Sequence, residues 1–123
     1  MIRNRKLQAL KQLLFSYGSL QKEKLQIELF GRTLLGWNDS LAGYRLASIE
    51  IKDAAFLAKG QEKYQQTFVI SNNRNDTVKG TVFEIAEEEL LLADKYEPAN
   101  YKRIKVVLQS GKKPGSISPL RNY

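Results

Sequence analysis

Apolar residues in this 123-residue chain come only in short runs, each cut off by glycine, proline or a polar cluster. That pattern limits the fold more than any other feature. LLFSY (13–17), GYRLASIEI (43–51), TFVIS (67–71), TVKGTVFEI (77–85) and YKRIKVVLQ (101–109) have the length and the β-branched and aromatic content of strands. Residues 43–51 alternate, with Arg45, Ala47, Ile49 and Ile51 on one face, as a half-buried strand should. Gly80 inside the fourth run predicts a bulge or a close backbone approach. AEEELLLADKY (86–96) reads as a helix with three glutamates in its first turn, where the helix dipole favours them. SLQKEKLQIEL (19–29) reads as a helical turn or short helix with Ser19 in N-cap position. Three glycines and the cluster Asn38-Asp39-Ser40 predict a loop over residues 31–43, and residues 52–66 follow no clear pattern. About five to six strands with one or two helices give an α+β class: a small, mixed, mostly antiparallel curled sheet or barrel with flanking helices.

The length argues for one domain, and such a chain buries roughly two thirds of its unfolded surface. The sequence divides into a basic extension (1–11), a single domain (12–110) and a flexible tail (111–123). Charge supports the division. Residues 1–24 carry six basic and one acidic side chain, residues 101–123 six basic and none acidic, and residues 25–100 eight basic and twelve acidic. Basic ends can touch RNA or an anionic surface, but aromatic residues are not interleaved with these charges as base stacking would require. Nucleic-acid binding through the ends therefore ranks last among the possible functions. No apolar run is long enough to span a membrane, and the N-terminal stretch lacks a secretory core. Together with the absence of cysteine, these features fit a cytoplasmic protein.

Cysteine and histidine are both absent, which rules out disulfides, thiolate nucleophiles and a Ser-His-Asp triad. Acid–base chemistry must then use carboxylates, lysines or tyrosines. Among the carboxylates, Glu97 is distinctive. It precedes Pro98, which pushes it out of helical conformation, so the helix should end near Tyr96 with Glu97 at the corner. A carboxylate there is held by rigid structure on both sides, although spacing alone favours an ordinary polar residue at a helix end. At the other end of the chain, Tyr17-Gly18-Ser19-Leu20 breaks the first strand abruptly, either as a simple turn or as bare backbone for a ligand.

YGSLQ, then FGR with a later GY (Phe30, Gly31, Arg32, Gly43, Tyr44), VKGTVFEI, ADKYE and YKRIKVVL occur in that order. The combination resembles the gamma-glutamylcyclotransferase superfamily, and within it the AIG2-like, gamma-glutamylamine cyclotransferase branch, from about Leu13 to Ser110. The resemblance implies a curled, barrel-like sheet and an enzyme that releases 5-oxoproline from gamma-glutamyl compounds. It implies Glu97 as catalytic glutamate, Tyr17, Gly18, Ser19 and Leu20 as the substrate-binding loop, and Tyr101 with Arg103 as pocket wall. The implied partner is a small gamma-glutamyl or amino-acid-like ligand, with no metal and no organic cofactor. Two departures stand out: Pro98 replaces a frequent glycine, and the family's strand-like end gives way to GKKPGSISPLRNY. The second motivates an alternative, a non-catalytic module binding a small metabolite or a partner on the same fold.

Overall fold

The computed structural model describes residues 11–98, 101–111 and 115–119, with backbone course alone for Lys11, Lys102 and 115–119. In order, the chain forms β1 (Lys11–Ser16), a 3-10 turn (Ser19–Gln21), α1 (Glu23–Phe30), β2 (Gly36–Ala42), β3 (Tyr44–Glu50) and α2 (Ala54–Leu57). It continues through β4 (Tyr64–Ile70), β5 (Thr77–Ala86), α3 (Glu87–Tyr96), β6 (Tyr101–Lys105) and β7 (Gly115–Pro119). Five strands form one sheet in the order β2-β5-β1-β7-β6, and β3 pairs with β4 as a separate two-stranded sheet. Among the described residues only the β1–β7 pairing is parallel. The α+β, mostly antiparallel class expected from the sequence is the one observed. No helix among the described residues is long and apolar enough to cross a membrane.

The central strands are apolar on both faces because both faces are covered. In β1, Leu14 joins Leu20, Leu34, Phe83, Ile85, Leu90 and Ala93 beneath α1 and α3. Its neighbour Phe15 points the other way and packs with Phe68, Val78 and Val82 against the β3–β4 hairpin. Period-two alternation thus places the two halves of LLF in different cores, which is why the run reads as continuously apolar. A third cluster of Ile51, Phe56 and Tyr96 closes the end where α2 meets the last turn of α3.

Several sequence expectations are corrected. Residues 36–42 are not loop but strand β2, which pairs along its whole length with β5. Their polar composition follows from the edge position, where only Leu41 is fully buried. Asp39 consequently lies in a strand rather than a turn. The stretch 19–29 is not one helix capped by Ser19. A 3-10 turn precedes α1, and α1 starts from Lys22 without a side-chain cap. The strand expected over 101–109, β6, ends at Lys105 rather than Gln109. Residues 115–119, expected in a flexible tail, form β7 between β1 and β6; Ser, Pro and Gly content hid a strand held by backbone pairing on both sides. Lys11, assigned to the basic extension, already belongs to β1. The rest of that extension, 1–10, and the tail positions 112–114 and 120–123 lie outside the described residues.

Gly80 meets its expectation. It sits in β5 opposite Asp39, one residue past the pairing of Ser16 with Thr81. A Cβ at that position would run into the Ser16 carbonyl oxygen and the Phe15 ring. The missing side chain therefore lets β1 end against β5, and Ser16 is where the Tyr17–Leu20 segment begins.

Candidate functional site

The Tyr17–Leu20 segment leaves the sheet as a tight turn. The Gln21 N–H donates to the Gly18 carbonyl at 3.1 Å, and Lys22 N–H to Ser19 at 3.0 Å. The turn is anchored from below by Gln26, which is buried to 2% exposure. Its amide nitrogen donates to the Leu20 carbonyl at 2.8 Å, and its amide oxygen accepts from the Leu34 N–H at 2.8 Å. One glutamine thus ties the turn to the chain beyond α1. Gln26→Leu strips both groups of their partner in a buried place, at about 1–3 kcal/mol each. Urea unfolding is expected to show a loss of about 2–4 kcal/mol. A loss below about 0.5 kcal/mol would mean the clamp contributes little.

The opposite wall comes from the exit of α3. The helix ends where Glu97 turns extended, with φ −69° and ψ 158°, and its N–H still reaches the Ala93 carbonyl at 3.1 Å. Pro98 imposes that conformation, as the sequence predicts. The Tyr101 N–H then donates to the Pro98 carbonyl at 2.9 Å, so the chain bends tightly into β6. At the foot of α3, the Glu89 carboxylate accepts from the Ala86 N–H at 2.9 Å and from Arg32 at 2.7 and 2.8 Å. The first-turn glutamates are therefore not equivalent: Glu89 also caps, and it pairs with the arginine of FGR.

The two walls enclose a pocket of about 40 Å³. Tyr17, Gly18, Ser19 and Leu20 line one side, and Glu97, Pro98 and Tyr101 the other. All six residues singled out as a site in the sequence, Glu97 with Tyr17, Gly18, Ser19, Leu20 and Tyr101, meet around this one space. Arg103 does not line it. Its guanidinium grips Asp94 through two hydrogen bonds of 2.8 and 3.0 Å, tying β6 to α3. Asp94 and Arg103 thus brace the helix that carries Glu97.

Sequence reasoning missed the rest of the lining. Ser16 ends β1, Phe56 comes from α2, and Gln65 and Gln66 come from β4. The last three lie in the stretch 52–66 that shows no pattern. The Gln66 carbonyl accepts from the Tyr101 hydroxyl at 3.3 Å, which joins the hairpin to the site.

Burial shapes the electrostatics. It pushes the Glu97 carboxyl up to about 7; the Lys59 cation opposes the rise and the Asp94 charge adds to it. The Tyr17 phenol is pushed up to about 12, first by burial and with a smaller contribution from Glu97, while Thr67 and the Phe68 backbone pull it partly back. Burial also raises Tyr96, against a lowering contact from Ser19. Tyr17 is fixed edge-on to Phe68, with ring centroids 5.2 Å apart. At neutral pH the pocket is therefore lined by the protonated Tyr17 phenol and by one carboxyl poised between its two states.

Glu97 at a helix exit thus faces the Tyr-Gly-Ser-Leu turn across a small pocket, on a fold with known counterparts. The fold is that of the gamma-glutamyl cyclotransferase group: a structure described as a gamma-glutamyl cyclotransferase superposes with a TM-score of 0.66, at 18% identity, over 92% of this chain and 68% of that one. The chain belongs to the family described as gamma-glutamyl cyclotransferase, AIG2-like, whose model matches residues 14–117. The solution structure of At5g39720.1 from Arabidopsis thaliana gives a TM-score of 0.70 at 18% identity, covering 93% of this chain and 72% of that one. At3g28950.1 from the same plant gives 0.62 at 19% identity over 89% of this chain. This chain spans 61% of the length of At3g28950.1. No curated protein matches the sequence.

Proposed function

We propose that this chain releases 5-oxoproline from a gamma-glutamyl amine or peptide by intramolecular aminolysis. The observation that carries the reading is the pairing of Glu97 with the Tyr17–Leu20 turn around one pocket. The substrate's own α-amino nitrogen attacks its γ-carbonyl carbon, a five-membered ring closes, and the γ-amide C–N bond breaks. Attacker and target share one molecule, so the protein chiefly holds a folded conformer and moves protons. The α-ammonium must lose a proton before it can attack. Glu97 in its ionised form accepts that proton and returns it to the departing amine nitrogen; the second proton, shed by the ring nitrogen after attack, passes to the same carboxylate and from there to the freed amine or to water. A carboxyl near 7 suits both duties at neutral pH. The turn that starts at Ser19 offers backbone N–H groups, since the first amides of a helical turn have no partner within it. They would receive the substrate carboxylate or the oxyanion that develops on the γ-carbonyl. Pro98 and Phe56 supply apolar lining that limits water. The reaction as written needs neither metal nor organic cofactor.

The test is direct. Purified protein is incubated with a panel of gamma-glutamyl amines and dipeptides, and 5-oxoproline is measured by mass spectrometry. Release from at least one member at well above the spontaneous rate is expected. Tight binding of a panel member without release would replace this reading with the non-catalytic module.

A further inference from the structure

Lys59 lies in the turn after α2, outside the pocket lining and in a stretch that the sequence left unassigned. Its ammonium reaches across to the end of α3, donating to the Tyr96 carbonyl at 2.9 Å and to the Lys95 carbonyl at 3.3 Å. It also stands over the Tyr96 ring, 4.9 Å from the centroid, and 5.9 Å from that of Phe56. The Phe56 and Tyr96 rings meet edge to face at 6.0 Å, so the cation completes a three-part joint between α2 and α3. Asp53 stabilises the other side of that joint by capping α2, accepting from the Ala55 and Phe56 N–H groups at 3.0 and 3.3 Å.

We propose that Lys59 is a positioning residue for Glu97: it clamps the carbonyl end of α3 and so fixes the corner from which Glu97 enters the pocket, while its positive charge acts on the carboxylate. Carbonyls at a helix C-terminus have no helical donor and carry the negative end of the dipole, so an ammonium there is doubly favoured. The residue immediately after those carbonyls is Glu97 itself. Any change in how the last turn of α3 closes is transmitted to the carboxylate through a single peptide unit.

The charges around Glu97 make Lys59 the decisive one. Asp94, on α3, is the acidic neighbour and is engaged by Arg103 from β6. Tyr17, from the end of β1, and Tyr96 are phenols that stay neutral at pH 7, both held above their ordinary value chiefly by burial. Lys59, approaching from the α2–β4 turn, is the cation whose field acts on Glu97 against burial. It has a further use in the proposed reaction, since the glutamate must be ionised to accept a proton, and a fixed positive charge favours that form.

The inference rests on the proposed function for its meaning, but the experiment does not. Protein labelled with 13C at glutamate side chains is titrated by NMR, with the Glu97 signal assigned by its loss in Glu97→Gln. Lys59→Met is expected to move the Glu97 midpoint upward by at least about 0.5 pH unit, and Lys59→Arg to leave it near the native value. Lys59→Gln serves as a second neutral variant should the methionine variant fold poorly, with thermal melting as the control for folding. Where 5-oxoproline release is measurable, the acidic limb of the kcat/KM profile is expected to shift in the same direction, with kcat reduced more than KM is changed, and arginine restoring both. An unmoved Glu97 midpoint in both neutral variants would overturn the proposal, as would an arginine variant that behaves like methionine. Should no 5-oxoproline be released by the native protein, the proposed function fails and the titration still decides whether Lys59 governs Glu97.

Discussion

Replacing Glu97 by glutamine is expected to lower 5-oxoproline release roughly 100-fold or more, since a positioned acid–base group contributes about that much. The amide keeps the shape of the side chain and its hydrogen-bonding reach, but it can neither take the proton from the substrate ammonium nor return it to the leaving amine. KM should change much less than kcat, because the turn residues and Tyr101 that would bind the substrate are untouched. In the native protein kcat/KM should rise as pH climbs through about 7, where the buried carboxyl becomes ionised. That limb should vanish in the variant. Turnover within a factor of about three of native would remove Glu97 from the mechanism, whatever binds in the pocket.

The same substitution has a second, opposite consequence. The folded protein holds the Glu97 proton up to about 7, whereas an unfolded chain releases it near its ordinary value of 4.5. Below that ordinary value both states are protonated and the carboxyl costs nothing. As pH rises from there through 7, the folded state has to carry a buried charge that the unfolded state carries in water, and stability falls. Glutamine has no such charge. Glu97→Gln is therefore expected to match the native protein in denaturant unfolding near pH 4. Near pH 8 it should exceed the native protein by on the order of 2 kcal/mol, less than full burial would give because the side chain retains some access to solvent. Such a cost near neutral pH is what the proposed role of Glu97 would impose on the fold.

The parts of this molecule legible in the sequence share a physical cause. β1, β5 and α3 are buried on fixed faces, so burial wrote periodic apolar residues into them. The Glu97 corner was readable because Pro98 restricts the backbone of its predecessor whatever the surroundings. Elements held mainly by backbone pairing left no such mark. β2 is polar because it is an edge, and β7, with its glycine, serines and proline, shows no apolar periodicity although its backbone pairs with both β1 and β6. Lys59, Phe56 and Gln66 were invisible for a different reason. Each matters through a partner more than thirty residues away, Tyr96 for the first two and Tyr101 for the third. No local pattern encodes such a meeting. Gln26 was hidden by its chemistry: a glutamine in a helix reads as surface, yet this one is buried between two backbone groups.

Two glycine-to-alanine changes should separate what shapes the site from what fills it. At Gly80 the new methyl group would be driven into the Ser16 carbonyl and the Phe15 ring. A backbone oxygen cannot swing aside as a flexible side chain can, so the end of β1 has to move away from β5 and the ladder pair Ser16–Thr81 must loosen. Overpacking of this kind costs about 2–3 kcal/mol, and the displaced strand end carries Tyr17 with it, so stability and turnover should fall together. At Gly18 the same methyl group would meet no atom of the protein within 4 Å. With that space open, unfolding should change by no more than about 1 kcal/mol. If the substrate lies against this turn, however, the methyl group occupies space the substrate needs, and kcat/KM should fall about tenfold or more, a loss of roughly 1.4 kcal/mol in transition-state binding. Urea unfolding and 5-oxoproline release, measured on both variants, decide the matter. Full activity in Gly18→Ala would mean that the substrate approaches the pocket from another side and that the turn serves only to end β1.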